Sequence, residues 1–485
     1  MAHRSPRELI ELYWDEVWNN RRADLIREIC ADPIIRHDPG SVTALSVDDQ
    51  IARVRQQSEK MEPYFTHEVL LADDTYVTSV WNMHTRKGER VELCGIEVFK
   101  AVDGKFTDCW NSAYTPGRWG REGDTAVPDD LPPPALLASP DQITPQWVQA
   151  VLQHAGIAAP RVSLLNTKPI GHGNLSATVR TEITYNANAA DAVRSVVAKL
   201  TSGIGQAVEI AAAHDVYRRE CEVYGFLGDQ PPLATPRCYW RKVGPDGRTI
   251  NLVLEDLSEC TRAGDQIAGC TAQEAEAVAA QLASLHAAFW GDARLDSADW
   301  LYNRAASAEA ALATNTRAAA AFRERFTGRA DSALLDAIDT VVADLPRHFA
   351  AIPHGRTLVH GEPRVDNVLF EDTASGPKAW LIDWQFADRG SPMFDLAYFL
   401  AGSLAVEDRR EIDEVLVARN HAAITPVDPA YTLDQARAEF AGSLPLALYF
   451  TVGAVLAMPP SEHGDRLLLT LAERNVAALR DWGVV

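Results

Sequence analysis

The sequence predicts an α+β protein built in two parts. Three observations carry that expectation. The N-terminal part reads as helix followed by a meander of long strands. A stretch rich in Pro and Gly then breaks all apolar periodicity. Beyond it, short buried-strand patterns give way to a long helical region, which suggests two lobes with a cleft between them.

The first part opens on Ser5-Pro6-Arg7-Glu8, a capping box with Pro at the first helical position. Leu9, Leu12 and Tyr13 follow at helical spacing. Strand-like runs cover 65–71, 76–84 and 91–102, and Asp103-Gly104 marks a tight hairpin into 105–112. From 115 to 140 the chain reads TPGRWGREGDTAVPDDLPPPALLASP, where Pro132-Pro133-Pro134 favours an extended spacer. The second part begins with a Thr144-Pro145 helix start leading into Trp147, Val151 and Leu152. Buried-strand signals follow at 176–185, 193–200 and 251–257. Thr271-Ala272-Gln273-Glu274 is a second capping box, and Ala275, Val278, Leu282, Leu285 and Phe289 form one apolar stripe. The expected divisions are a front domain at 1–118, a linker at 119–142, a strand-rich lobe at 143–258 and a helical lobe at 259–485.

The chain's 485 residues suffice for about three structural units, or two if one is bilobal. Apolar residues make up 47% and charged residues 23%, which leaves ample core. Lys+Arg total 46 against 67 Asp+Glu, a net charge of −21, and both sides of the linker are acidic. Such a surface repels phosphate backbones and anionic lipid, so neither nucleic acid nor a membrane is an expected partner. A local cationic pocket for a nucleotide remains compatible with it. No apolar run reaches the roughly 18 residues of a membrane span, and the start lacks a signal-peptide pattern. The seven cysteines are odd in number and show no C-x-x-C pair, which fits free thiols in a reducing cytoplasm.

The chemistry concentrates in two segments. Residues 360–370 read HGEPRVDNVLF and residues 380–396 read WLIDWQFADRGSPMFDL. Asp383 ends a short apolar strand, and a polar turn between two short strands brings Asn367 and Asp383 close. An amide oxygen beside a carboxylate suits Mg²⁺. Glu362, a few residues before the Asn, is placed to accept the proton of an attacking hydroxyl, and Arg364 to offset charge on a transferring phosphoryl group.

These residues, with Gly390-Ser391-Pro392 and Asp395-Leu396-Ala397-Tyr398, resemble the aminoglycoside phosphotransferase and choline kinase superfamily, closest to its ecdysteroid-kinase-like branch, over roughly 143–480. The resemblance implies a bilobal, protein-kinase-like phosphotransferase fold that uses ATP and Mg²⁺. In the pattern H-G-D-x-x-x-x-N the acid is the base and the Asn a metal ligand, and the I-D-[FW] Asp is the other ligand. It therefore implies Glu362 as base, with Asn367 and Asp383 on the metal. It also implies a phosphate-covering loop at Gly171 and Gly173, although a chance Gly-rich turn is the commoner reading of that segment alone. Lys199 resembles the strand lysine that holds the nucleotide phosphates, Glu220 its helix partner, and Glu255 to Leu257 the hinge that binds adenine. His360 and Asp395 are expected to order the catalytic loop, and His286 to be a satisfied core histidine. Trp290 either lines an acceptor pocket or closes its helix. No G-x-x-x-x-G-K-[ST] is present, so a P-loop is not supported. Glu362 stands where the superfamily has Asp, one methylene longer, and Pro363 follows it.

Residues 1–118 resemble the SnoaL-like members of the nuclear transport factor 2 superfamily. The resemblance rests on the first helix, Ile35-Arg36-His37-Asp38, Gly95-Ile96-Glu97-Val98-Phe99 and Asp103-Gly104-Lys105-Phe106 before Trp110-Asn111. It implies a cone of curved antiparallel sheet around an apolar pocket, here lined by Trp81, Met83, Trp110 and Tyr114, with His37, Asp38 and His84 as candidate acids or bases. It also makes a homodimer through this sheet plausible. The expected function is an ATP-dependent kinase that phosphorylates a hydroxyl of a small-molecule alcohol, with the front domain binding or processing the same bulky, partly apolar substrate. The alternative is a front-domain cyclase or isomerase carrying a catalytically impaired, nucleotide-binding kinase-like domain. A wholly non-catalytic binding protein is a third.

Overall fold

The computed structural model describes residues 4–88, 91–119, 131–171, 175–187, 191–302, 308–350 and 355–485. The chain divides into two compact units, 1–127 and 128–485, a division that falls inside the expected linker.

The first unit begins with α1 (Pro6–Glu11), continued by a π-wound turn at Leu12–Asn19, and a short α2 (Ile26–Ile29). The capping box forms as the sequence indicates, with Glu8 N–H on Ser5 Oγ and the Glu8 carboxylate on the Ser5 N–H. Next come β1 (Cys30–Asp38), β2 (Ser41–Leu45), α3 (Val47–Met61), β3 (Pro63–Ala72), β4 (Tyr76–Thr85), β5 (Glu92–Val102), β6 (Lys105–Asn111) and β7 (Thr115–Pro116). The sheet order is β2-β1-β6-β5-β4-β3, with β7 on β5. The β3–β6 meander matches the sequence reading within two residues, because alternation and the Asp103-Gly104 turn are local signals. Asp103 at φ 50° and Gly104 at φ 72° supply the two left-handed positions of a hairpin turn. The pairing of β1 parallel to β6 was not legible, since parallel partners lie far apart in sequence. The helices cover the inner face, where Tyr13, Trp14, Val17, Ile51, Phe65, Trp81, Phe99 and Phe106 form one core.

In the second unit, residues 131–142 pack on its N-terminal lobe instead of spanning free. Leu137 is buried, and its N–H and C=O both bond the Asn251 amide. Then follow α4 (Pro145–His154), β8 (Val162–Pro169), β9 (Ser176–Tyr185), β10 (Ser195–Thr201), α5 (Gly205–Ala213), α6 (Val216–Leu227), β11 (Cys238–Val243) and β12 (Ile250–Glu255). They form an antiparallel sheet of order β11-β12-β10-β9-β8. The two outer strands escape the sequence reading because neither shows the apolar run of a doubly covered strand: β8 buries only Val162 fully.

The helical lobe holds β13 (Arg262–Ala263), α7 (Ala272–Ala288), α8 (Ala308–Phe326), α9 (Ser332–Ala343), α10 (Leu345–Ala350), β14 (Thr357–Val359), β15 (Val368–Thr373), β16 (Gly376–Leu381), β17 (Asp388–Gly390), α11 (Pro392–Ser403), α12 (Val406–Ile424), α13 (Leu433–Gly453) and α14 (Glu462–Asp481). Thr271 and Glu274 form their capping box, and Ala275, Val278, Leu282 and Leu285 bury the stripe against β16 and α12. One segment corrects the sequence reading. Leu433–Leu456 is long and apolar enough to cross a membrane by length and composition, although no such run was expected. Its polar members Ser443 and Thr451 hid the run, and just over half of its apolar window is buried in the lobe.

Candidate active site

Two hairpins and one helix build the site in the second unit. On β10, Lys199 pairs with Thr178 and Leu252 on the neighbouring strands, which fixes where its side chain leaves the sheet. Its Nζ lies 2.5 Å from Glu220 Oε1 on α6 and 3.3 Å from Asp383 Oδ1. Burial works against the Lys199 charge, but the Asp383 and Glu220 carboxylates outweigh it and hold the ammonium above its ordinary pKa. Burial pushes the Glu220 carboxyl upward, against the pull of Lys199. Arg219, next to Glu220, donates to the carbonyls of His214, Trp300 and Gln385, so α6 is tied to the segment that follows Asp383.

The β15–β16 hairpin carries the other half. Val368 pairs with Leu381, and Ile382 N–H donates to Asn367 O at 3.0 Å, which sets Asn367 and Asp383 side by side. Asn367 Nδ2 donates to Glu362 O at 3.0 Å, so its carbonyl oxygen is the atom left for a cation. Asp383 adopts φ 67°, a left-handed conformation uncommon outside glycine, and its buried Oδ1 faces Lys199 Nζ at 3.3 Å. A carboxylate on a strained backbone beside an amide oxygen is a donor set that fits a hard cation. Among the described residues no cluster of three or more His, Cys, Asp or Glu forms a metal cage. A Mg²⁺ held mainly by phosphates needs only one or two protein oxygens.

Between β14 and β15 the chain turns at Gly361, whose φ is 88° and where a Cβ would sit 1.9 Å from Phe386 O. Asp395, fully buried at the start of α11, accepts from the N–H groups of His360 at 2.7 Å and Gly361 at 2.9 Å. Its third donor is His286 Nε2 at 3.0 Å. Burial alone would raise the Asp395 carboxyl, but the His286 hydrogen bond and charge hold it below its usual value. His360 donates from Nε2 to Ile382 O, and burial lowers its pKa. It is therefore a neutral strut between the two segments, as its sequence reading indicated.

Glu362 and Arg364 line a cavity of about 340 Å³ in the helical lobe, together with Tyr398, Tyr449, Phe450 and Asn475. Burial raises the Glu362 carboxyl above its ordinary pKa, with Arg364 pulling the other way. Tyr398 Oη lies 3.5 Å from Glu362 Oε1. The cavity residues went unrecognised in the sequence because they come from α8, α11, α13 and α14. The available signal was amides on apolar helix faces, such as Asn315 and Asn475, both buried.

Other expected positions are placed as follows. Gly171 takes φ 71° just before β9; Gly173 lies outside the described residues. Glu255 and Leu257 flank Asp256, which accepts from Arg180, Ser195 and Ser258. Glu255 itself accepts from the Arg237 N–H, so the side chains of this segment do structural work. Trp290 bonds Asp428 and packs on Tyr431, which is the helix-closing role.

The front unit corrects part of its expected pocket. Trp81 and Met83 are buried on the inner face, but Trp110 is 37% exposed and stacks on His37 at 4.6 Å on the outer face, and His84 is exposed beside Tyr64. The reason is parity: His37 pairs with Trp110, so both side chains leave the same side of the sheet, opposite Cys109 and Asn111. Asp38 does sit with the inner set. It accepts from Arg36 and Asn111, and Arg36 bonds Tyr114, which donates to Glu97 at 2.8 Å. Burial raises the Glu97 carboxyl. Arg36, Glu97 and Asn111 were not singled out as site residues; an acid at an inward position of an alternating strand was the signal.

Residues 171–425 match the ecdysteroid kinase-like family. The chain belongs to the ecdysteroid kinase-like family. Within this ecdysteroid kinase-like chain, residues 10–109 match the SnoaL-like domain, so the front unit has the fold expected of it. The family supports a small-molecule kinase, a phosphotransferase of the kinase type. None of the curated proteins compared with the chain matches it. Among solved structures, an ethanolamine kinase from Plasmodium vivax is 12% identical, covering 68% of this chain and 87% of its own, with a TM-score of 0.40. An LEH-like epoxide hydrolase from M. tuberculosis is 17% identical over 21% of this chain and 78% of its own, with a TM-score of 0.20. A candidate polyketide cyclase from Acidithiobacillus ferrooxidans is 20% identical over 23% of this chain and 89% of its own, with a TM-score of 0.21.

Proposed function

We propose that the second unit transfers the γ-phosphoryl group of ATP to a hydroxyl of a small-molecule alcohol. One observation carries this reading: Lys199, Glu220 and Asp383 converge in the cleft, while Glu362 lines a cavity large enough for a small molecule. Lys199, held charged, binds phosphate oxygens and is itself held by Glu220. Asn367 and Asp383 would hold Mg²⁺, which when bound neutralises charge on the phosphates. Leu257 and its neighbours border the adenine. Glu362 orients the acceptor hydroxyl and takes its proton as the acceptor oxygen bonds to the γ-phosphorus. The bond from that phosphorus to the β–γ bridging oxygen breaks, and ADP leaves. Arg364 offsets charge on the transferring group. The raised Glu362 pKa makes its carboxylate a better proton acceptor than an exposed one.

The test is ADP release by the full-length protein with Mg²⁺ and a panel of hydroxylated compounds. Alcohol-dependent release that disappears in Asp383→Ala supports the proposal; no release with any alcohol overturns it. A second reading has its own support in the inner-face chain Asn111–Asp38–Arg36–Tyr114–Glu97 of the front unit. A buried acid among aromatic rings suits proton transfer on an apolar-bodied substrate, whether or not the second unit turns over. Chemistry that survives Asp383→Ala and is lost in Glu97→Gln would favour it.

A further inference from the structure

Arg219 precedes Glu220 on α6, and the two are 4% and 1% exposed. Successive side chains leave a helix about 100° apart. Glu220 therefore reaches β10, where it holds Lys199, while Arg219 reaches the helical lobe. Arg219 Nε donates to Trp300 O at 3.1 Å, Nη1 to Gln385 O at 2.8 Å and Nη2 to His214 O at 2.9 Å. These carbonyls belong to three segments: the turn before α6, the loop before α8 and the stretch that follows Asp383. A planar fork of donors serves all three at once, which a single ammonium does not.

The loop before α8 reinforces the same junction. Arg218 pairs with Asp299 at 2.6 Å, so two successive arginines of α6 grip this loop. The Tyr302 ring lies 5.4 Å from the Arg219 guanidinium, and the Tyr302 N–H donates to Ala387 O at 2.9 Å. On its other flank the stretch after Asp383 packs against the Gly361 turn through Phe386 O, and Asp388 pairs with Val359 on β14. Buried charge-assisted hydrogen bonds are the stronger kind, and here they span both lobes. The place of Asp383 opposite Lys199 is thus set from the α6 side as well as by its own hairpin.

We infer that Arg219 is a positioning residue of the nucleotide site: it holds the stretch bearing Asp383 in register with the Lys199–Glu220 pair, so that phosphates and cation meet a site already assembled. The inference rests on the kinase reading for what the site binds, but its test needs no turnover. Calorimetry on the full-length protein compares Mg²⁺–ATP with adenosine, which carries no phosphate. Arg219→Lys keeps the charge and loses the fork. Its Mg²⁺–ATP affinity should fall about tenfold, the worth of one lost charged hydrogen bond. Its adenosine affinity should stay within about twofold. Because Arg219 acts through the Asp383 stretch, the double variant with Asp383→Ala should bind Mg²⁺–ATP within about twofold of Asp383→Ala alone. A purely structural arginine would lower Tm and leave both affinities of the folded protein unchanged, which would overturn the inference. So would an equal loss for adenosine, or losses that multiply in the double variant. Hydrogen exchange on the unaltered protein gives a second test that needs no variant. Amides of 216–227 and 384–388 should be protected without nucleotide and slow by no more than about twofold when Mg²⁺–ATP is added. A gain of about tenfold or more would mean that the nucleotide assembles the site, and would overturn the inference. Failure of the kinase reading is a separate result: nucleotide binds as described, yet no alcohol elicits ADP release.

Discussion

Lys199 Nζ and Asp383 Oδ1 stand 3.3 Å apart across the cleft, one on a strand of the five-stranded sheet and the other at the end of a strand in the helical lobe. The pair joins the two lobes at the point where triphosphate and cation would bind. Glu220 keeps the ammonium there, and Arg219 keeps α6 against the segment after Asp383.

That contact sets the first prediction. Lys199→Met removes the charge proposed to hold the phosphates and leaves Glu220 buried without its partner. ATP-dependent turnover should fall about a hundredfold or more. Glu220→Gln should fall less, since Lys199 keeps Asp383. Steady-state kinetics on the purified variants measures both.

Glu362, as the proposed base, should govern the pH profile. Burial raises its pKa, and the proposed base must be ionised, so kcat/KM should fall as pH drops through a value above the usual carboxylate range near 4. Glu362→Gln should remove that acid limb and lower kcat about a hundredfold or more. It should also stabilise the fold at neutral pH. A carboxyl with a raised folded-state pKa loses stability as pH rises through its ordinary value toward the raised one, and glutamine has no charge to bury. Glu362→Asp draws the carboxylate back by about 1 Å, from a site where Tyr398 lies 3.5 Å away, and should cost up to about a hundredfold in rate.

Asp395 holds the turn at His360 and Gly361 through two N–H groups and is itself held by His286. Asp395→Ala strips a buried, paired acid and should destabilise the protein by about 3–5 kcal/mol, read from denaturant midpoints. The folded-state pKa is depressed, so this stability is fully present above about pH 4 and is lost as pH falls below it. The variant should lose that part of the acid sensitivity.

Gly361→Ala should be among the most damaging single-methyl changes in the chain. The backbone is left-handed there, and the added carbon meets Phe386 O. A cost of about 2 kcal/mol or more is expected, together with loss of turnover, because the turn positions Glu362.

What the sequence disclosed follows from range. Capping boxes at Ser5 and Thr271, the Asp103-Gly104 hairpin and the Asn367/Asp383 hairpin are written within a few residues of themselves, and they form as read. The cavity beside Glu362 was not legible, because Gln266, Glu362 and Asn475 meet only after helices α8, α11, α13 and α14 have packed. The front pocket failed on parity. The β1–β6 pairing shifts register between Cys30 and Ile35, and whether His37 faces in or out depends on that shift.

The most direct measurement is calorimetric titration of Mg²⁺–ATP into the full-length protein and into Lys199→Met and Asp383→Ala. The account predicts one site per chain in the unchanged protein and at least a tenfold loss of affinity, on the order of 1.4 kcal/mol, in each variant. Absence of binding to the unchanged protein, or equal binding to all three, would contradict it.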